Sequence, residues 1–178
     1  PGMDMCCGDA ITSCCGPDDN TALAATIALA QPGDVLVCAT EGFEHGAMCG
    51  DLMAGIARNK GIAGLVTDGM VRDGVGLREM GLPVFARGIT PNSCVRSGPG
   101  TVGLPVVVGG RMVSSGDIVV ADEDGVVTVP QADLATVKAK LVEVMAAEAD
   151  LLAKVRGGLA GFGWVDELLK TDRVEWLD

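Results

Sequence analysis

The pattern of apolar and polar positions alternates between strand-like and helix-like stretches along the whole chain. MDMCCGDAITSCC, at the N-terminus, reads as two short strands around a Gly8–Asp9 turn. GPDDN comes next, with Asp18 or Asp19 placed to cap the Ala-rich helix TALAATIALAQ, which Pro32–Gly33 stops. DVLVCA is a continuous apolar run, the mark of a strand buried on both faces. A helix is expected from about Ala47 to Arg58, then strand IAGLVTD, a short helix ending at Gly81, and strand LPVFARG. From Val102 to Pro130 the character changes to successive short strands, with turns at Gly109–Gly110 and DEDG. A long helix is expected from about Gln131 to Arg156 and a short one around Trp164 to Lys170. These elements describe an α/β domain with a β-rich second layer and a helical C-terminus.

The long helix holds one anomaly. Leu134, Val137, Leu141, Val144, Leu151 and Val155 lie at alternating three- and four-residue steps, and the position that completes the series is Glu148. A carboxylate in a buried seam is costly unless it is paired or reaches a cation. The alternative is a small rotation of the helix that leaves Glu148 at the solvent rim.

Composition narrows the classes. In 178 residues, 48% hydrophobic with 3% aromatic and no Tyr, the core must be built from Val, Leu, Ile, Ala and Met. A net charge of −11 argues against nucleic acid and anionic membranes as partners, since both are polyanions. No apolar run reaches the roughly 18 residues of a membrane-spanning helix, and no basic-then-apolar signal peptide is seen. Seven Cys cannot all pair within one chain, and neither Cys6–Cys7 nor Cys14–Cys15 has C-x-x-C spacing. Reduced thiols acting as small core hydrophobes, in a cytoplasmic protein, are the expectation.

Candidate chemistry lies in Asp51 and, after twenty intervening residues, the pair Arg72–Asp73. Both fall where a strand gives way to a helix, and two tandem units of this kind bring such loops together at one sheet edge. Gly50-Asp51-Leu52-Met53 opens a helix whose free N–H groups suit a carboxylate. Taken singly, Asp51 reads more readily as an ordinary first-turn acid and Arg72–Asp73 as a solvated ion pair; their combination on two adjacent loops favours a site. Asp68 reads as a turn-former, and His45, the only His, as a lesser candidate for substrate contact. One His gives no support to a His-rich metal site or a Ser–His triad. There is no phosphate-binding G-x-x-x-x-G-K-[ST] loop or dinucleotide fingerprint, and no lysine at these loops for a Schiff base.

AQPGDVLV, GDLMAGIARNKGIAGLVTDGMVRD, GLPVFARGITP, GPG and SGDIVVADEDGVVTVP resemble the RraA-like family over nearly the whole chain. That family joins the regulator of ribonuclease E activity A to the 4-hydroxy-4-methyl-2-oxoglutarate aldolases, which are also oxaloacetate decarboxylases. The resemblance implies a single domain over residues 1–178. Its fold would be a three-layer β/β/α sandwich of the swivelling-domain type, assembled as a homotrimer or hexamer. Members carry an N-terminal helical segment that is not represented in this chain, and GGLAGFGWVDELLKTDRVEWLD departs from the short aldolase tail.

By the same resemblance, Gly50, Asp51, Leu52 and Met53 bind the substrate carboxylate, and Arg72 contacts the pyruvyl oxygens. Asp73 is the direct ligand of Mg²⁺ or Mn²⁺. Asp51 and Glu148 act through water, Glu148 from a neighbouring subunit. Aldol cleavage and β-decarboxylation both leave an enolate of pyruvate, which the cation and Arg72 would stabilise. Retro-aldol cleavage also needs a base, a role a metal-bound water could fill. The expected function is a metal-dependent lyase acting on a small 2-oxo acid. The alternative is a non-catalytic regulator that inhibits a ribonuclease; regulators of that type tend to lose the Asp that this chain keeps at position 73.

Overall fold

Strand β2 (Val35–Ala39) buries all five of its side chains, and their alternation defines the layers. Val35, Val37 and Ala39 enter one apolar cluster, while Leu36 and Cys38 enter the other. Such a strand must be covered on both faces, as the continuous run DVLVCA requires. The computed structural model describes residues 5–176, so Met3 and Asp4 of the first expected strand lie outside the described residues. The chain divides into two compact units, Pro1–Leu134 and Ala135–Asp178.

In the first unit β1 (Cys6–Cys15) pairs in parallel with β2 through Ala10–Cys14. Beyond β2 come β4 (Gly64–Thr67) and β6 (Val84–Phe85), both parallel. The first half of β1, Cys6–Asp9, pairs antiparallel with β11 (Ile118–Asp122), which pairs with β12 (Gly125–Val129). β8 (Gly100–Val102) adds to the end of β1, completing a seven-stranded mixed sheet. One face packs on α1 (Thr21–Leu29), α2 (Asp51–Asn59) and α3 (Gly74–Met80), with Leu23, Ile27, Ala54 and Leu77 against Leu36 and Leu65. The other face packs on the hairpin of β9 (Val106–Val108) and β10 (Arg111–Val113), with Val106 and Val113 against Val35, Val37 and Val66. The layers are therefore β/β/α, as expected.

Two boundaries differ from the sequence reading. Residues 6–15 form one strand rather than two around a turn, because β1 changes partner near Gly8–Asp9 without reversing direction. Gly8 serves close approach: a side-chain carbon there would overlap the Gly33 carbonyl. The helix expected from Ala47 begins only at Asp51; Ala47–Cys49 is β3, since three apolar residues carry no period that separates strand from helix. β3 lies in a small parallel sheet with β5 (Met70–Val71) and β7 (Gly88–Ile89).

The second unit consists mainly of α4, which starts at the unit boundary (Leu134–Arg156), and α5 (Gly163–Leu168). No residue of α4 is buried, and Val137, Leu141, Val144, Leu151 and Val155 are 41–51% exposed. The apolar seam is real as a pattern but is not buried in this chain, so Glu148 carries no burial cost here. Among the described residues no helix is long and apolar enough to cross a membrane. All seven cysteines are free thiols, and Cys6, Cys15, Cys38 and Cys49 are buried.

Asp19 fastens the start of α1 to a distant loop. Its Oδ1 accepts the Thr21 N–H at 2.7 Å, and its Oδ2 accepts the Ser97 and Gly98 N–H groups at 2.6 and 2.9 Å. Burial alone would push its pKa up, but the three N–H donors prevail and lower it from 3.8 to about 2. A depressed folded-state pKa means that the stabilisation is fully present above pH 3.8 and is lost as pH falls towards 2. Asp19→Asn should cost about 1–3 kcal/mol at neutral pH, read as a lower melting temperature. The gap from wild type should close as pH falls from 5 to 2. A gap independent of pH would show that the charge of Asp19 does not contribute.

Candidate active site

Three parallel strands end at one place. The Arg72 N–H donates to the Cys49 carbonyl at 2.9 Å, and the Thr90 N–H to the Val71 carbonyl at 2.9 Å. These bonds align the C-terminal ends of β3, β5 and β7. From those ends issue the start of α2, the Arg72–Asp73 pair that leads into α3, and the loop of residues 90–97. A cleft of about 440 Å³ lies among them, lined by Gly50, Asp51, Leu52, Met53, Arg72 and Asp73. The structure thus brings together the six residues that the sequence reading grouped. That reading attached them to the wrong strands, since the loops leave β3 and β5 rather than β2 and β4.

Gly50 is required by close approach. It is the extended N-cap of α2, and a side-chain carbon there would stand 2.5 Å from Asp73 Oδ2 and 3.2 Å from Arg72 Nε. No side chain caps this helix end; the Leu52 N–H donates to Asp51 Oδ1 at 2.6 Å. Gly76 of α3 plays the same part for Asp51, where an added carbon would lie 2.6 Å from Oδ2. Asp73, the N-cap of α3, holds left-handed backbone angles of φ 59° and ψ 44°. Its side chain makes no capping bond and meets Arg72 instead, Nε to Oδ2 at 3.3 Å, with both side chains about 40% exposed. Arg72 Nη1 also donates to Ser93 Oγ.

The cleft's thiols are held neutral. Burial, with the nearby charges of Asp73 and Asp51, pushes Cys49 up to about 12. Burial and the charge of Asp18 push Cys94 up to about 11. Neither supplies a thiolate near neutral pH. Among the described residues no group of three or more His, Cys, Asp or Glu is placed to hold a metal. What the cleft offers a cation is carboxylate oxygen, with Asp73 Oδ2 facing Arg72. One or two carboxylates completed by water and substrate oxygens is the habit of Mg²⁺ and fits this donor set.

Other residues singled out in the sequence fall elsewhere. Asp68 accepts the Thr40 and Gly42 N–H groups at 2.7 and 3.0 Å, fixing the loop after β2. His45 is exposed outside the cleft lining, its ring edge-on to Phe43 at 5.6 Å. Glu148 belongs to α4 in the second unit. Sequence reasoning missed Asn20, Ser93, Cys94 and Arg96, which also line the cleft. Asn20 was hidden in the capping segment GPDDN, and the loop of residues 90–97 has neither period nor motif.

The RraA-like family, described as Aldolase/RraA, matches residues 1–128. A protein of Halalkalibacterium halodurans that carries the provisional name 4-hydroxy-4-methyl-2-oxoglutarate aldolase is 36% identical over 128 residues, covering 72% of this chain and 61% of its own length. This chain therefore spans less than two thirds of that relative. The RNA-processing inhibitor RraA of Thermus thermophilis superposes with a TM-score of 0.67 at 32% identity, covering 71% of this chain and 77% of its own. RraAS2 of Streptomyces coelicolor, described as an unusual member of the RNase ES inhibitor RraA family, gives 0.75 at 35% identity, with 82% and 75% covered. Sequence, fold and relatives agree: this chain belongs to the RraA-like family, which brings aldolases and RraA-type inhibitors together.

Proposed function

We propose that this protein is a divalent-metal-dependent carbon–carbon lyase. Its substrates would be 4-hydroxy-2-oxo dicarboxylates of the 4-hydroxy-4-methyl-2-oxoglutarate type, or oxaloacetate, with pyruvate as the product. The observation that carries the reading is the convergence of Arg72, Asp73 and the uncapped start of α2 on one cleft. Both reactions break the C3–C4 bond and leave its electron pair on C3, conjugated with the 2-oxo group. Backbone N–H groups of Gly50–Met53, at the positive end of α2, suit the C1 carboxylate. The Arg72 guanidinium suits the 2-oxo oxygen, where charge develops. Asp73 would hold Mg²⁺ or Mn²⁺, which supplies Lewis-acid stabilisation of that same charge.

In this reading Asp51 and Glu148 order water beside the cation, Glu148 from a neighbouring subunit of a homotrimer or hexamer. Support comes from α4, which buries none of its residues within the chain and leaves its apolar positions open to a second copy. The reading places the protein in the cytoplasm, where free thiols persist. A second reading, an RraA-type inhibitor of a ribonuclease, is favoured by the likeness to the Thermus and Streptomyces inhibitors. Pyruvate release from oxaloacetate and a panel of 4-hydroxy-2-oxo acids, with and without Mg²⁺, separates the two. Ribonuclease inhibition without any pyruvate release would overturn the lyase.

Asp73→Asn keeps a residue that tolerates the left-handed backbone. Metal-dependent pyruvate formation should vanish while the melting temperature holds; full activity would remove the metal assignment. Arg72→Lys replaces a planar fork by a point charge and should lose ~100-fold or more in kcat, as for a deleted transition-state donor. A loss below ~10-fold would count against the enolate role. Finally, the inactive Asp73→Asn protein and a weakly active Glu148→Ala protein should regain activity when refolded together, because some interfaces then carry both native residues. A fully active Glu148→Ala protein would show that the site is not shared.

A further inference from the structure

We infer that Arg96 is the specificity residue for the distal carboxylate of the substrate and restricts the cleft to dicarboxylic 2-oxo acids. The inference rests on the lyase reading of the same cleft and extends it to the half of the substrate left unbound there. Two arginines line the cleft, in different circumstances, and Arg96 is exposed at its rim. Arg72 meets Asp73 through Nε and Ser93 through Nη1. Among the described residues no carboxylate comes within ion-pair distance of Arg96. An exposed arginine at the rim of a cleft, without an acidic partner in a chain of net charge −11, is a place for an anion from solution.

The backbone on both sides of Arg96 is pinned. The Val95 N–H donates to the Asp18 carbonyl at 2.8 Å, and the Val95 carbonyl accepts the Asn20 N–H at 3.3 Å. On the other side the Ser97 and Gly98 N–H groups donate to Asp19 Oδ2 at 2.6 and 2.9 Å. The guanidinium therefore moves on its own side chain from a fixed point, as a recognition residue requires. The start of α2 and Arg72 already account for one carboxylate and one oxo group. A monocarboxylate would leave Arg96 without a counter-charge, whereas a second carboxylate would meet a planar fork of matching shape.

Binding calorimetry with two inert analogues, in the presence of Mg²⁺, tests this. 2-Oxoglutarate and 2-oxopentanoate have the same carbon chain and differ in a terminal carboxylate against a methyl. The wild type should prefer 2-oxoglutarate. Arg96→Gln should weaken 2-oxoglutarate ~10-fold or more and change 2-oxopentanoate by less than ~2-fold, with Arg96→Lys in between. Equal affinities in the wild type, or equal losses for both analogues in the variant, would overturn the assignment. No turnover is needed, so a protein without lyase activity still gives an answer on Arg96. Conversely, lyase activity without this selectivity removes Arg96 and leaves the lyase standing.

Discussion

The ladder bond from the Arg72 N–H to the Cys49 carbonyl sets the register on which the cleft depends. Pairing of β3 with β5 is irregular: Ala47 faces Met70 and Cys49 faces Val71, so β3 advances two residues while β5 advances one. Bulges of this kind turn a strand and re-aim the residues at its end. Here the extra residue brings Gly50 opposite Arg72 and Asp73, where it has no side chain to obstruct them. A slip of one residue would turn the side chains at the end of β5 to the opposite face. The chemistry of the site is thus a consequence of backbone pairing in a sheet of three very short strands.

Those short strands are also where sequence reasoning faltered. β2 was legible because five consecutive apolar residues can only be a doubly covered strand or a buried helix segment, and Gly33 and the polar loop after the run settle the choice. α2 was legible from Asp51 onward because Gly50, the acidic first turn and Arg58 in the last turn mark its two ends. β3, β5 and β7 span only two or three residues each, too few for any period to show. Their pairing is fixed by tertiary contacts that the local sequence does not encode. The Asp51 and Arg72–Asp73 loops could be predicted as neighbours because parallel strands place their C-terminal ends on one side. The loop carrying Ser93 and Arg96 could not, since its position depends on β7, too short to show a period, and on Asp19, remote in sequence.

Asp73 shows how a local conflict can serve the site. An aspartate in the left-handed region costs backbone energy that a glycine would not, although Asp and Asn bear it better than most residues. As an N-cap it also forgoes the side-chain bond such a position normally makes, since its carboxylate turns to Arg72. Two unfavourable choices at one residue are the kind of strain expected where a side chain is held for a site, in keeping with the part proposed for Asp73. The neighbouring glycines fit the same account, for Gly50 and Gly76 each clear the space beside a cleft carboxylate.

Asp19 joins stability to recognition. The carboxylate that accepts the Thr21 N–H at the start of α1 is also the acceptor for the backbone at Ser97 and Gly98, directly after Arg96. Its charge is held by three N–H dipoles in a buried place, so it is present at any pH at which the protein would work. The cleft's two arginines therefore have separate anchors. Arg72 is oriented by Asp73 and Ser93 within the cleft, and Arg96 is held through the backbone by a buried acid outside it. Separate anchoring lets the side of the cleft that carries Arg96 change without disturbing the side that carries Arg72 and Asp73. In a family that spans aldolases and inhibitors, that division would allow one scaffold to keep its fold while its cleft is retuned.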